Sequence, residues 1–350
     1  MLPLAGKPIL QYIINYLKGS GFDELFITTN YMREKLISFF GDGSRFDLKL
    51  KYPEEKSPLG TAGSVKNVEE DIDDTFIVIQ GDNITDLNIQ AALEFHRDKK
   101  GLATIILIPV GDPSAFGIAE INENSRITRF LEKPSLEECF SNLANTGIYI
   151  FEPEVLKYIP KGVAYDFSKE LFPKLLKIQK ILHGYRVECS WFDVGNPKNY
   201  LRANVWMLQK LKGQKISETA DIHGDLKGAV IIGKDTMIAN GVKIKGPTII
   251  GDGCEIQEDS RIDSYCVLEN NVIVESKSKI VGSIIYENSR FGNKTRLLEC
   301  IIGENCRFGS EIRVGRFAVV GANCRISDRT EVKSGARIWP KMYKSPKSVI

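Results

Sequence analysis

The chain is 350 residues long and carries 47 Lys+Arg against 45 Asp+Glu, a formal net charge of +2; that length is enough for two domains with sizeable cores. No block of basic residues, and no interleaving of basic with aromatic residues, marks a nucleic-acid surface. No apolar run reaches membrane-spanning length or has the layout of a signal peptide, so the sequence reads as soluble and cytoplasmic, with no nucleic-acid or membrane partner. The seven cysteines include no C-x-x-C pair, and the only histidines are His96, His183 and His223, which is a poor basis for a Cys/His metal centre.

The first half alternates strands and helices. Pro8 is expected to open a helix through about Leu17, with Ile9, Ile13, Ile14 and Leu17 on one face. A short strand at residues 24–29, a helix at 31–40 and a strand at 48–52 follow. Residues 75–80 form an unbroken apolar run, expected to be a strand buried on both faces. Then come a helix at 89–97, a strand at 103–109, paired strands at 117–121 and 127–131, and a buried strand at 144–151. Pro197 starts a last helix through Lys210, with Gly213 beyond its end. This pitch predicts a doubly wound α/β domain over residues 1–213.

Residues 214–345 have a different character. A large apolar residue recurs every six positions: Ile232, Ile238, Ile244, Ile250, Ile256, Ile262, Leu268, Val274 and Ile280. After a one-residue slip come Ile285, Phe291 and Leu297; after a second, Ile302, Phe308, Val314, Val320, Ile326, Val332 and Ile338. A hexapeptide period predicts a parallel β-helix with three short strands per turn, these side chains pointing inward and the slips falling at turns. The residue two before each member is small or β-branched. Five of the seven cysteines (Cys254, Cys266, Cys300, Cys306, Cys324) fall there and read as small core hydrophobes. Gly233, Gly251, Gly303, Gly309, Gly315 and Gly321 follow apolar positions, where a turn would favour them.

Two carboxylates stand just after apolar runs: Asp82 in Gln80-Gly-Asp-Asn83 and Asp193 in Trp191-Phe-Asp-Val-Gly195. Ligands of such sheets bind beyond the carboxyl ends of the strands, and paired carboxylates there suit Mg²⁺, which shares its oxygen ligands with substrate phosphates.

Together with Leu59-Gly-Thr-Ala-Gly63, Phe116-Gly-Ile118, Glu132-Lys-Pro134, Asn145-Thr-Gly-Ile-Tyr-Ile-Phe151 and the hexapeptide tail ending in Ile338-Trp-Pro340, these motifs make nearly the whole chain resemble one family. It is that of the sugar-1-phosphate nucleotidyltransferases, and within it the mannose-1-phosphate guanylyltransferase group with a left-handed β-helix. The resemblance implies a Rossmann-like domain followed by that β-helix. The implied reaction is attack of a sugar 1-phosphate on the α-phosphorus of a nucleoside triphosphate, with GDP-mannose the expected product. It further implies that Asp82 and Asp193 hold Mg²⁺ and that Leu59, Gly60, Thr61, Ala62 and Gly63 lie under the base. Gly117, Glu132 and Asn145 would contact the sugar, Lys133 would pair with its phosphate, and the protein would form a homo-oligomer.

The family's opening strand and G-x-G-T-R-L loop, with the lysine that follows, have no counterpart here: Met1-Leu-Pro-Leu4 aligns just after that lysine. Either the start was placed at an internal Met, which is the preferred reading, or the chain is a non-catalytic, regulatory or structural member that binds nucleotide or sugar phosphate. An acyltransferase, which β-helices often support, would need a histidine between coils, and only His223 lies near.

Overall fold

The computed structural model describes residues 2–29 and 31–349. By packing, the chain divides into two compact units, one spanning Ile9–Asp193 and the other comprising Leu2–Pro8 with the residues from Val194 onward.

The first unit is built on β10 (Leu143–Phe151), whose nine residues are all buried. It is flanked by β5 (Phe76–Ile79) and β7 (Ala103–Pro109), both antiparallel to it. Beyond β7 lies β11 (Leu182–Arg186), in parallel register. On another part of β10 sits the hairpin of β8 (Gly117–Ile121) and β9 (Ile127–Glu132). The core is strongly aromatic: Tyr149, Phe151, Phe167 and Phe172 are fully buried with ring centroids 5.1–6.3 Å apart, a geometry that adds to the area term. Helices α1 (Ile9–Gly19), α2 (Arg33–Phe40), α3 (Gly60–Lys66), α4 (Ile89–Lys99) and α5 (Phe172–Lys177) cover the strands, and α1 buries the expected Ile9, Ile13, Ile14 and Leu17. It begins one residue after Pro8, which is the last residue of a short hairpin.

One expectation fails. All four residues of β5 are only half-buried, although the sequence reads as a strand covered on both faces. Among the described residues β5 pairs with β10 alone, and β3 (Glu24–Phe26) pairs only with β4 (Lys49–Lys51) in a separate two-stranded sheet. An apolar strand with one free edge keeps part of its surface in water whatever its composition.

In the second unit, helix α6 (Pro197–Gln209) packs with the N-terminal hairpin. The Asn204 side chain accepts from the Ala5 amide at 3.0 Å, and the Tyr200 hydroxyl donates to the Pro3 carbonyl. The remainder is a parallel β-helix with three sheets of eight, eight and seven strands. All nineteen six-spaced side chains are buried, as are the five cysteines two positions ahead of them. Both slips fall at corners, at Gly282-Ser283 and Glu299-Cys300. The glycines after the apolar positions are explained differently from the expectation. Their φ values are not positive; instead a Cβ would strike the next coil, 2.7 Å from the Ser334 amide at Gly315 and 2.6 Å from the Pro340 nitrogen at Gly321. The left-handed corner positions are occupied by other residues, including Asp259, Asn271, Asn305 and Asn323, and Asn and Asp tolerate that conformation best after glycine.

Burial, reinforced by Glu287 and Glu304, raises the Glu269 carboxyl on this β-helix from 4.5 to about 7. The folded state therefore holds this proton more tightly than the unfolded chain, and stability falls as pH rises between those values. Glu269 is partly exposed, so the full shift is discounted to about 1–3 kcal/mol. Glu269→Gln is expected to raise Tm at pH 8 and to leave it unchanged below about pH 4.5, in thermal melts at the two pH values.

Candidate active site

Asp82 lies in the turn that leads into β6 (Asn83–Thr85), and Asp193 ends β12 (Trp191–Asp193). These two strands pair antiparallel with Asp193 opposite Asn83, so the carboxylates sit on adjacent strand ends. The pairing is strapped at its far end, where Asp86 accepts from the Ser190 amide at 2.8 Å and the Thr85 hydroxyl donates to the Ser190 carbonyl at 2.9 Å. Burial raises the Asp82 carboxyl above its ordinary value, and the negative charge of Asp193 raises it further. A divalent cation would relieve that cost, since it favours both ionised forms. Among the described residues no group of three or more His, Cys, Asp or Glu could hold a metal. A cation here would therefore take two protein carboxylates and complete its shell with phosphate oxygens and water, the usual habit of Mg²⁺.

The strand behind this pair is irregular. β10 shifts register against β7 between Asn145 and Tyr149, and Gly147 in the bulge has φ of +76°. A Cβ on Gly147 would lie 2.5 Å from Gln80 Oε1 and 2.9 Å from Asn83 Nδ2, so only glycine fits. The bulge turns the Thr146 carbonyl toward the acids, where it accepts from Asn83 Nδ2 at 2.6 Å and from Trp191 Nε1 at 3.0 Å.

Gly117 and Glu132 are register partners at the open end of the β8–β9 hairpin. A Cβ at Gly117 would meet Glu132 Oε2 at 2.5 Å, so this glycine makes room for the carboxylate. Burial raises the Glu132 carboxyl, Asp166 adds to this, and Lys133 and the Ser168 hydroxyl oppose it. Lys133 is exposed and has φ of +47°, strained for a residue with a side chain; its amide donates to the Phe116 carbonyl at 3.1 Å. The Phe116 ring packs edge-on against Trp191 at 5.3 Å, so contacts link the hairpin motif to the Asp193 strand.

Asn145 is committed to its neighbours. Nδ2 donates to the Tyr149 hydroxyl and to Ser168 Oγ, each at 3.0 Å, and Oδ1 accepts from the Gly147 amide at 3.0 Å. Leu59-Gly-Thr-Ala-Gly63 is the start of α3 rather than an open loop. Gly60 has φ of +71°, and Cβ atoms on Gly60 and Gly63 would come within 2.8 Å of Tyr165 O and 2.6 Å of Val163 O. The close approach these glycines permit is to the chain's own 163–165 segment, whose Tyr165 carbonyl accepts from the Ala62 and Gly63 amides. Thr61 continues this contact by donating to Asp166 Oδ2 at 2.9 Å.

Sequence reasoning passed over Asn83, Thr146, Ser168 and Asp166. The available signal was Gly147, since a lone glycine inside an apolar strand marks a bulge.

Residues 1–210 match the nucleotidyl transferase family and residues 244–344 match the GMPPB C-terminal domain. The chain belongs to the nucleotidyl transferase family, and sugar-1-phosphate nucleotidyltransferases are among the proteins it is similar to. It is 34% identical to the UTP–glucose-1-phosphate uridylyltransferase of Synechocystis over 71% of each chain. It is 31% identical to the mannose-1-phosphate guanylyltransferase of Mycobacterium tuberculosis, over 70% of this chain and 72% of the relative. Among solved structures, one from Bacillus anthracis assigned as a glucose-1-phosphate thymidylyltransferase, in complex with sucrose, matches with a TM-score of 0.52 and 27% identity, covering 59% of this chain and 84% of that one. No helix among the described residues is long and apolar enough to cross a membrane.

Proposed function

We propose that this site transfers a nucleotidyl group from a nucleoside triphosphate to a sugar 1-phosphate. A phosphate oxygen of the sugar attacks the α-phosphorus, a new P–O–P bond forms, the bond to the β-phosphate breaks and pyrophosphate leaves. The observation that carries this reading is the pairing of Asp193 against Asn83, which brings a second carboxylate beside Asp82. In this reading Mg²⁺, when bound by Asp82 and Asp193, neutralises phosphate charge at the reacting centre. Lys133 presents a point charge to the sugar phosphate from its exposed, strained position. Glu132 accepts hydrogen bonds from the sugar, and Gly117 keeps the space in front of it open. Asn145 fixes the bulge through Nδ2 and offers the second lone pair of Oδ1 to the sugar. The Leu59–Gly63 segment serves the base.

Guanine and mannose are our assignment of base and sugar. They are supported by the match to the GMPPB C-terminal domain and by the guanylyltransferase relatives from Mycobacterium tuberculosis and Arabidopsis thaliana; the uridylyltransferase relative is the competitor. We place the functional boundary at 213/214, where the hexapeptide region begins, and the protein in the cytoplasm as a homo-oligomer. The test is pyrophosphate release by a chain bearing the family's N-terminal loop, across GTP, UTP and dTTP with mannose and glucose 1-phosphates. Highest kcat/KM for GTP with mannose 1-phosphate is expected; preference for UTP with glucose 1-phosphate would overturn the base and sugar but not the reaction. A second reading, a member that binds without turnover, is supported if no pair is turned over.

A further inference from the structure

We infer that the Thr146 carbonyl is a clamp that sets the spacing of the two carboxylates, and that Asn83 and Trp191 are positioning residues acting through it. The inference rests on the reading that Asp82 and Asp193 share a cation. One backbone oxygen receives two side-chain donors from two different strands. Asn83, which directly follows Asp82, donates at 2.6 Å; Trp191, two residues before Asp193, donates at 3.0 Å. A carbonyl oxygen has two lone pairs, and both are used.

The carbonyl is available only because β10 bulges there. In a regular strand it would be taken up in the ladder; the register shift between Asn145 and Tyr149 frees it. The bulge itself is locked on three sides. The Thr146 hydroxyl donates to the Ile106 carbonyl at 2.9 Å, Asn145 Oδ1 holds the Gly147 amide, and Gly147 adopts a left-handed φ. Thr146 is 2% exposed and Asn83 1%, so the hydrogen bond between them does not compete with bulk water. Asn83 is costly to keep at such a position, because its Oδ1 is buried without a hydrogen-bond partner and the desolvation penalty is unrelieved. A side chain retained at that cost for a single donor bond points to a role for the bond.

Short β6 and β12 are three residues each and, among the described residues, pair only with each other. Such a ribbon is weak in isolation; the clamp pins both of its strands to the central strand of the sheet, through Asn83 at the acid-bearing end and through Trp191 opposite Thr85 at the other. Residues behind metal ligands typically change metal affinity by about 10–100-fold.

The test is Mn²⁺ binding, followed by electron paramagnetic resonance on the full chain at low temperature, with Tm measured in parallel. Five proteins are compared: the unchanged chain, Asp82→Asn, Asn83→Leu, Trp191→Phe and the double clamp variant. The unchanged chain is expected to bind one Mn²⁺ and Asp82→Asn none. Asn83→Leu and Trp191→Phe are expected to weaken binding by about tenfold each. The double variant should be less than additive, since both act on one oxygen. If both single variants bind Mn²⁺ as the unchanged chain does, whatever their Tm, the clamp is overturned while the cation site stands. If the unchanged chain does not bind Mn²⁺, or Asp82→Asn binds equally well, the cation reading fails and the clamp fails with it. Trp191→Phe removes the N–H and leaves an aromatic ring at the position, so its loss of affinity is read beside its Tm, which reports the packing lost with the rest of the indole.

Discussion

Expressed as these 350 residues, the protein is expected to release pyrophosphate from GTP and mannose 1-phosphate at a rate below detection. Joining to its N-terminus the strand and G-x-G-T-R-L loop of a family member, with the lysine that follows, is expected to produce turnover. The motif G-x-G-T-R-L does not occur among these 350 residues, so the comparison tests whether the site turns over without the amides and cations of that loop. Removing one preorganised donor to developing charge costs on the order of 3–4 kcal/mol, about a hundred- to a thousandfold in rate. A whole anion-binding loop and two cations exceed that, although such losses do not add. The fold gives a second readout. β5 has a free edge and half-buried apolar residues, and β3–β4 stands as a separate pair. A strand supplied along the unpaired edge of β5 would pair it and remove apolar surface from water, so Tm is expected to rise together with activity. Robust turnover by the 350-residue chain would show the loop to be dispensable and the catalytic assignment mistaken.

The β-helix was legible almost residue by residue, because its period is set by stacking alone: each coil repeats one environment, so an inward position is an inward position nineteen times over. Even the cysteines followed, since the corner they fill takes small or β-branched side chains. The reason for the glycines was not legible. Their constraint is the approach of the next coil, which no single hexapeptide contains. In the first unit the expected elements were found in order, while α3, α5, β6 and β11 were not expected; β5 was read as fully covered from its composition, and composition does not report whether a neighbouring strand is present. The adjacency of Asp82 and Asp193 could be expected from position after apolar runs. The clamp behind them could not, because it depends on a register shift between β10 and β7, and register is a property of pairs of strands. Asn145 shows the same limit. Its place in the motif suggests a ligand contact, and only the positions of Tyr149, Ser168 and Gly147 reveal that both hydrogens of its Nδ2 are already donated inside the protein.

Asp82→Asn, made in the loop-bearing chain, is expected to abolish Mg²⁺-dependent turnover by at least about a hundredfold, since a metal at the reacting phosphates supplies several kcal/mol of charge stabilisation. It is not expected to lower Tm. Asp82 is held partly out of water beside Asp193, and both effects penalise its ionised form; a neutral amide of nearly the same shape removes the repulsion and leaves the β6–β12 pairing intact. Activity and stability should therefore separate, and a fall in both together would mean that the side chain supports the fold rather than the cation. The pH dependence sharpens the assignment. Because the Asp82 carboxyl lies above its ordinary value, protons compete with Mg²⁺ there at a higher pH than for an exposed aspartate. In the unchanged loop-bearing chain, turnover at limiting Mg²⁺ is expected to fall as pH is lowered toward that raised value. Raising Mg²⁺ should move the fall to lower pH, since the cation displaces the proton from the same oxygens. An acid limb that ignores Mg²⁺ concentration would place the titrating group elsewhere, with Glu132, also raised by burial, the next to replace.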